Sequence, residues 1–362
     1  MLTFTNNNRS PRSFNILQWY CCGVRNKLPQ LQSICKNYDI ICIQESLLYP
    51  SSKFSLRGFH IIREDIVNPG LRGVCILIRH NIVFSIVDLS GLEDGSVEML
   101  GVEVSSDNGK FTIINIYRHP NRNTLAQFYD DLMSFGDSKG KCIFVGNFNA
   151  HHTHWDCSAS DRAGKLILAS AEDHYACILN DERPTLLLPP NSGPSVIDLV
   201  IATADMAPLC EACIEDIWGS DHYPITIIIG VSPILRQRYA YKINLETSEL
   251  REFRDALVGS SDSFFSQLPA DIKEAYTYLI NHLLETAISC SSLKKIKAGT
   301  VPVSSERATP PWWSNKCQEV INMRKEAARL WQKELSSISN FHNFKKERAR
   351  CTKTLYREKR KG

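Results

Sequence analysis

The sequence predicts an α+β fold, an α/β sandwich in which two sheet layers are covered by helices on the outside. Three observations lead there. Short β-rich runs recur from Phe14 to Gly230, punctuated by Gly, Pro, Asn and Asp. Only three stretches in that span carry helical periodicity. About ten strands with few helices in one continuous region favour a single layered domain.

In chain order the expected strands are Phe14–Trp19, Asp39–Gln44, His60–Arg63, Val74–Arg79, Ile82–Val87 and Glu98–Val104. Phe111–Tyr117, Lys141–Val145, Val196–Ala202 and Pro224–Ile229 complete the set. The expected helices are Asn26–Lys36, Thr124–Phe135 and Arg162–Tyr175; the second places Leu125, Phe128, Leu132 and Met133 at helical spacing. Residues 1–13 read as a disordered, polar N-terminus. After Ser232-Pro233 the strand signal fades. Residues 231–311 read as a helical connector, ending in a Ser/Lys/Pro-rich linker from 291. Residues 312–362 read as a basic helical extension, with Cys317, Val320, Ile321, Ala328, Trp331 and Leu335 as its apolar stripe.

Composition narrows the function. The 362 residues are 43% hydrophobic and 22% charged, which excludes general disorder and collagen-like repeats. No run approaches the 18 apolar residues of a membrane span. The polar start Met1–Arg12 lacks the apolar core of a secretory signal. Thirteen cysteines, several inside apolar runs such as Ile40-Ile41-Cys42-Ile43, fit packed reduced thiols and an intracellular location. Charge is unevenly distributed: Trp312–Gly362 holds 14 Lys+Arg against 5 Asp+Glu, while the other 311 residues hold 28 against 34. A mildly acidic body with a basic tail points to a polyanionic partner for the tail.

Polar groups stand at the ends of apolar strands, where a rigid scaffold builds sites. They are Gln44-Glu45, Tyr117-Arg118, Gly146-Asn147-Phe148-Asn149 and Gly219-Ser220-Asp221-His222. Asp198 interrupts the run Val196–Ile201, and a buried carboxylate requires a partner, for which a histidine is the natural choice. Glu45 and Asp221 suit a hard cation such as Mg²⁺, which takes one or two carboxylates plus phosphate oxygens. With His222 and Asn149, the set has the parts of a phosphodiester-cleaving site.

Together, Gln18-Trp19, Gln44-Glu45-Ser46, Arg72-Gly73-Val74, Asn115-Ile116-Tyr117-Arg118, Gly146-Asn147-Phe148-Asn149-Ala150, Ser195-Val196-Ile197-Asp198-Leu199 and Ser220-Asp221-His222-Tyr223-Pro224-Ile225 resemble the endonuclease/exonuclease/phosphatase superfamily. The likeness runs over about residues 14–230. It is strongest to the abasic-site-endonuclease-like nuclease of non-LTR retrotransposons. Pro310-Pro311-Trp312-Trp313, Cys317 and the basic helices resemble the stretch leading to the reverse transcriptase in Jockey- and I-like elements, here expected to end before that enzyme. The resemblance implies four layers, two mostly antiparallel sheets facing each other between helices. It also implies metal-dependent nicking of DNA with Mg²⁺ or Mn²⁺, leaving a 3′-hydroxyl that primes reverse transcription. Glu45 would ligate the metal and Asp221 would support it; Asp198 and His222 would pair; Asn149 would hold phosphate or water, with Tyr117 beside it. Arg118, Lys345, Lys346 and Arg348 are expected on the nucleic acid. DNA is the expected partner, RNA a second one through the basic segment, membranes none, and the nucleus the place of work for an active enzyme.

Two positions depart from the family pattern. Asn147 replaces the aspartate of Gly-Asp-Phe-Asn, and an amide cannot accept the proton that a general base takes. Tyr20 stands where a compact asparagine usually faces the metal-side carboxylate. The alternative to a working nuclease is therefore an inactive remnant that keeps the fold and nucleic-acid binding. A lipid or inositol phosphatase is disfavoured by the Trp-Trp and basic segment. Phe128-Tyr129-Asp130-Asp131 imitates a polymerase motif but is expected on a helix; His151, His152, His154 and Cys157 have zinc-like spacing, as do Cys210 and Cys213.

Overall fold

The computed structural model describes residues 13–67, 70–181, 183–190, 192–235, 239–243, 247–290, 293–297 and 312–361. The expectations for the N-terminus to Arg12, for Pro310-Pro311 and for most of the 291–311 linker lie outside the described residues.

The elements run β1 (Phe14–Tyr20), α1 (Val24–Ile34), β2 (Ile40–Gln44), β3 (Phe59–Ile66), β4 (Arg72–Arg79), β5 (Phe84–Val87), β6 (Val97–Ser106) and β7 (Gly109–Arg118). They continue with α2 (Ala126–Lys139), β8 (Cys142–Asn147), α3 (Arg162–Asp173), β9 (Cys177–Ile178), β10 (Asp198–Ala202), β11 (Cys210–Ile214) and β12 (Ile225–Ile229). One sheet has the order β11-β12-β1-β2-β4-β3 and the other β5-β6-β7-β8-β10-β9. Pairing is antiparallel except β1 with β2 and β7 with β8.

The two sheets close on a core of β-branched side chains from both, among them Ile16, Ile40, Ile76, Val102, Ile113, Val145, Val200 and Ile227. On the outer face of the first sheet, Val24 and Leu31 of α1 pack with Leu17, Trp19, Ile41 and Leu77. On that of the second, α2 and α3 bring Phe128, Leu132, Met133 and Ile167 onto Ile114, Phe144 and Ile201. Alternation along each strand thus feeds two different cores, and the result is four layers.

All ten expected strands are present. Two short edge strands were not legible: β9 has two residues, and β11 (Cys-Glu-Ala-Cys-Ile) lacks a strand signature and forms by pairing on β12.

The C-terminal extension folds onto this unit as α6 (Asn315–Lys333) and α7 (Ile338–Lys359), numbered after the two connector helices below. Ala327, Ala328, Trp331 and Phe344 bury against Ile217 and Tyr223, while Cys317, Val320 and Ile321 bury against Cys351 and Leu355. Leu335, expected in the apolar stripe, lies beyond the end of α6 and is exposed.

A second unit holds the connector. It contains α4 (Thr247–Ser266) and α5 (Ile272–Ser289), with the stacked rings of Phe264 and Tyr278 between them. It also contains a two-stranded ribbon of β13 (Tyr239–Ile243) and β14 (Leu293–Lys297). The ribbon corrects the linker reading at 293–297, where pairing overrides a lysine-rich composition.

Gly146 shows how tightly the rim of the second sheet is built. Its φ is +147°, and a Cβ there would lie 1.9 Å from the Ile116 carbonyl oxygen on β7. Gly146→Ala should cost at least about 2 kcal/mol, through strain and loss of the β7–β8 fit. Thermal unfolding followed by circular dichroism checks this; an unchanged midpoint would show that the strands can separate locally at no cost.

Candidate active site

The polar strand ends meet at one rim. Parallel pairing sets Tyr20 beside Gln44 in the first sheet and Tyr117 beside Asn147 in the second, while antiparallel pairing sets Asp198 opposite Asn147. Because the sheets face each other, residues more than 150 positions apart in sequence converge.

Asp198 is fully buried and is the hub. Its Oδ2 accepts from His222 Nδ1 at 2.6 Å, and its Oδ1 accepts from Asn147 Nδ2 and Gln18 Nε2, each at 3.2 Å. A proton on Nδ1 fixes the imidazole tautomer. The 3.3 Å approach of Asn147 Nδ2 to His222 Nδ1 is then a contact between two donors. Burial opposes a charge on His222, but the charge and hydrogen bond of Asp198 outweigh it, so the ring titrates above its ordinary value. Thr185 ties the two together through the backbone: its Oγ1 accepts from the Ile197 and Asp198 amides, and its carbonyl accepts from Tyr223 N.

Glu45 follows β2 with a φ of +47° and is partly buried. Tyr117 donates its hydroxyl to Glu45 Oε1 at 2.6 Å. Burial, then hydrogen bonding and charge from Glu45, push both the Tyr20 and Tyr117 phenols well above their ordinary values, so both stay neutral donors. The Tyr20 ring lies 4.1 Å from the His222 ring and 5.8 Å from that of Tyr117. It therefore bridges the carboxylate side and the histidine side of the rim.

Asn149 also has a positive φ, +45°, and donates Nδ2 to the Arg118 carbonyl at 2.7 Å. Arg118, expected on nucleic acid, is buried, and its guanidinium donates to the carbonyls of Asn149 and Arg122 and to Thr124 Oγ1. Its visible work is to hold the turn that carries Asn149. Asp221 is exposed on the loop before His222. Lys345 and Lys346 are exposed on α7, and Arg348 reaches back to the Ser220 carbonyl at 3.4 Å.

Sequence reasoning quoted Gln18, Gln44 and Asn115 without giving them a role, and it missed Thr185, Cys22 and Lys27. The three amides had a signal: Asn115 interrupts the run Ile113–Ile116, Gln44 closes the run Ile40–Ile43, and Gln18 lies between the apolar Leu17 and Trp19. Cys22, exposed with φ +49°, stands among the charges of this rim. Burial raises its thiol pKa, Glu45 and Asp221 add to the rise, and Lys27 and Arg348 oppose it.

Three of the residues with zinc-like spacing are otherwise engaged. His151 pairs with Asp161, His152 Nδ1 accepts from His154 N, and the Cys157 thiol donates to the Val196 carbonyl. Phe128-Tyr129-Asp130-Asp131 lies on α2.

Residues 111–226 match a family model described as endonuclease-reverse transcriptase. The endonuclease domain of TRAS1, a telomere-specific non-LTR retrotransposon, superposes with a TM-score of 0.51 at 19% identity, over 60% of this chain and 98% of that one. The first unit has the endonuclease/exonuclease/phosphatase-superfamily fold. Also similar are an abasic-site endonuclease from Leishmania major (TM-score 0.48, 12% identity, 60% of this chain and 88% of that one) and a Neisseria 3′ phosphatase, NExo, bound to a product DNA hairpin (TM-score 0.47, 18% identity, 60% and 99%). No curated protein matches.

Nucleases of this superfamily generally use a divalent metal. Among the described residues no three His, Cys, Asp or Glu side chains cluster as an ion cage. The donors that are present, Glu45 with exposed Asp221, fit a hard, largely hydrated cation completed by substrate oxygens. One oxygen of Glu45 is already taken by Tyr117.

Asp198→Asn should lower the titration midpoint of His222, because it removes the charge that outweighs burial. Imidazole NMR of the metal-free chain reads this directly. An unmoved midpoint would mean that another group holds the proton.

Proposed function

We propose that this chain is the endonuclease of a non-LTR retrotransposon, built to nick DNA in the nucleus, and that its turnover is impaired at Asn147 and Tyr20. The observation that carries this reading is the buried Asp198, which holds His222 on one oxygen and an amide, Asn147, on the other. A carboxylate at 147 would have been an acceptor for a proton; the amide is a donor to Asp198 and nothing more.

Glu45 and Asp221 would hold Mg²⁺ or Mn²⁺, which when bound neutralises phosphate charge and makes a water easier to deprotonate. The chain's own residues do the rest. His222, held by Asp198 and easily protonated, offers positive charge to the scissile phosphate. Asn149, fixed by the Arg118 carbonyl, positions the phosphate or the attacking water. Tyr117 stays protonated and braces Glu45. What is lacking is the proton acceptor, whose loss typically removes about 10²–10⁴ in rate. Tyr20, lying against His222, favours the second reading, a remnant that binds DNA without cutting it.

A plasmid-nicking assay with Mg²⁺ separates the two readings, once circular dichroism has verified folding. The unaltered chain should nick very slowly or not at all. Asn147→Asp should raise the rate on the order of 10²-fold, and Tyr20→Asn alone should do less, since it restores access without an acceptor. Robust Mg²⁺-dependent nicking by the unaltered chain, abolished by Glu45→Ala, would show that another group takes the proton.

A further inference from the structure

Two cations hold the loop that carries Asp221 and His222 from outside, and a third lies beneath it. Lys27 of α1 donates Nζ to the Gly219 carbonyl at 2.6 Å. Arg348 of α7 donates Nη1 to the Ser220 carbonyl at 3.4 Å. Arg324 of α6 is only 2% exposed, its Nε and Nη2 have no hydrogen-bond partner, and its Nη1 lies 3.9 Å from where a Gly219 Cβ would sit. Among the described residues none of the three forms an ion pair with a carboxylate. Lys27 and Arg348 contact carbonyl oxygens, which fix a cation without cancelling its charge.

Charge left uncancelled at a partly buried rim is what an anion needs. Lys27 and Arg348 are both partly exposed, and the carbonyls they hold belong to Gly219 and Ser220, the two residues before Asp221. The two cations therefore border the loop that presents Asp221 and His222. Arg324, beneath Gly219, adds positive potential from a low-dielectric position where its field is weakly screened.

We propose that Lys27 and Arg348 grip a backbone phosphate of duplex DNA adjacent to the one facing His222, and that the α6–α7 hairpin is thus a wall of the active site. This rests on the nuclease reading above and deepens it. The apolar seat of the hairpin, Trp331 and Phe344 on Ile217 and Tyr223, explains how a C-terminal extension can hold a side chain at a fixed place beside the catalytic loop. Lys345 and Lys346, exposed on the same helix, can supply only general attraction.

Binding of the full chain to a fluorescent DNA duplex in EDTA, across a NaCl series, tests the grip without requiring turnover. The Lys27→Ala/Arg348→Gln double variant should weaken binding several-fold and lower the slope of log K against log[NaCl] by about one, the signature of one lost phosphate contact. Arg348→Lys should keep most of the slope, and Lys353→Ala, an exposed charge on the same helix, should change it less than either grip residue. A double variant that binds duplex DNA with unchanged slope overturns the grip and leaves the nuclease reading standing. So does a Lys353→Ala loss as large as that of Arg348→Gln, or a loss confined to a single-stranded RNA probe. An unaltered chain with no affinity for duplex DNA overturns both.

Discussion

A chain of buried amides crosses the sandwich and holds the rim in register. Gln18 on β1 donates Nε2 to Gln44 on β2 at 2.8 Å and to Asp198 on β10 at 3.2 Å. Gln44 in turn donates to Asn115 on β7, and Asn115 donates to the carbonyls of Ile43 and Cys75 in the opposite sheet. All four side chains are fully buried. β-branched packing elsewhere between the sheets is non-directional and would tolerate a small slide. Directional bonds between buried polar groups do not, because leaving one unsatisfied costs about 1–3 kcal/mol. The network therefore sets where Asp198 stands, and Asp198 sets where His222 stands.

This arrangement separates the fold from the chemistry. Neither Asn147 nor Tyr20 belongs to the amide chain, so both can depart from the family pattern while the rim persists. Asn147 removes a repulsion, since its Nδ2 gives Asp198 a donor where a second carboxylate would stand, but its own Oδ1 is left buried without a partner. Tyr20 fills space with a neutral phenol and two ring contacts. On the nuclease reading, both changes cost reactivity while leaving the rim in place.

Much of the fold was legible because its strands are strongly β-branched and end in polar residues. The rim residues Glu45, Tyr117, Asn147, Asp198 and His222 were legible for the same reason. What was not legible depends on partners far away in sequence. Thr185 is one threonine in an irregular segment, and its role exists only because Asp198 and Tyr223 are brought to it. Lys27 and Arg348 share a loop although they are more than 300 residues apart. Arg118 shows the converse. A basic residue at a strand end suggested phosphate, and the structure spends it on the turn beneath Asn149.

If the amide at 147 relieves the rim, restoring the carboxylate must strain it when no metal is bound. The decisive measurement is the unfolding free energy of Asn147→Asp against the unaltered chain in EDTA, as a function of pH. Two carboxylates at hydrogen-bonding distance raise the pKa of one of them, so the variant's deficit should be full above that raised value. It should fade as pH falls toward about 4, the ordinary range of aspartate. A shift of one to two pKa units corresponds to a deficit of about 1.4–3 kcal/mol at pH 8. A variant as stable as the unaltered chain across that range, or more stable, would contradict the idea that the amide at 147 relieves charge repulsion at this rim.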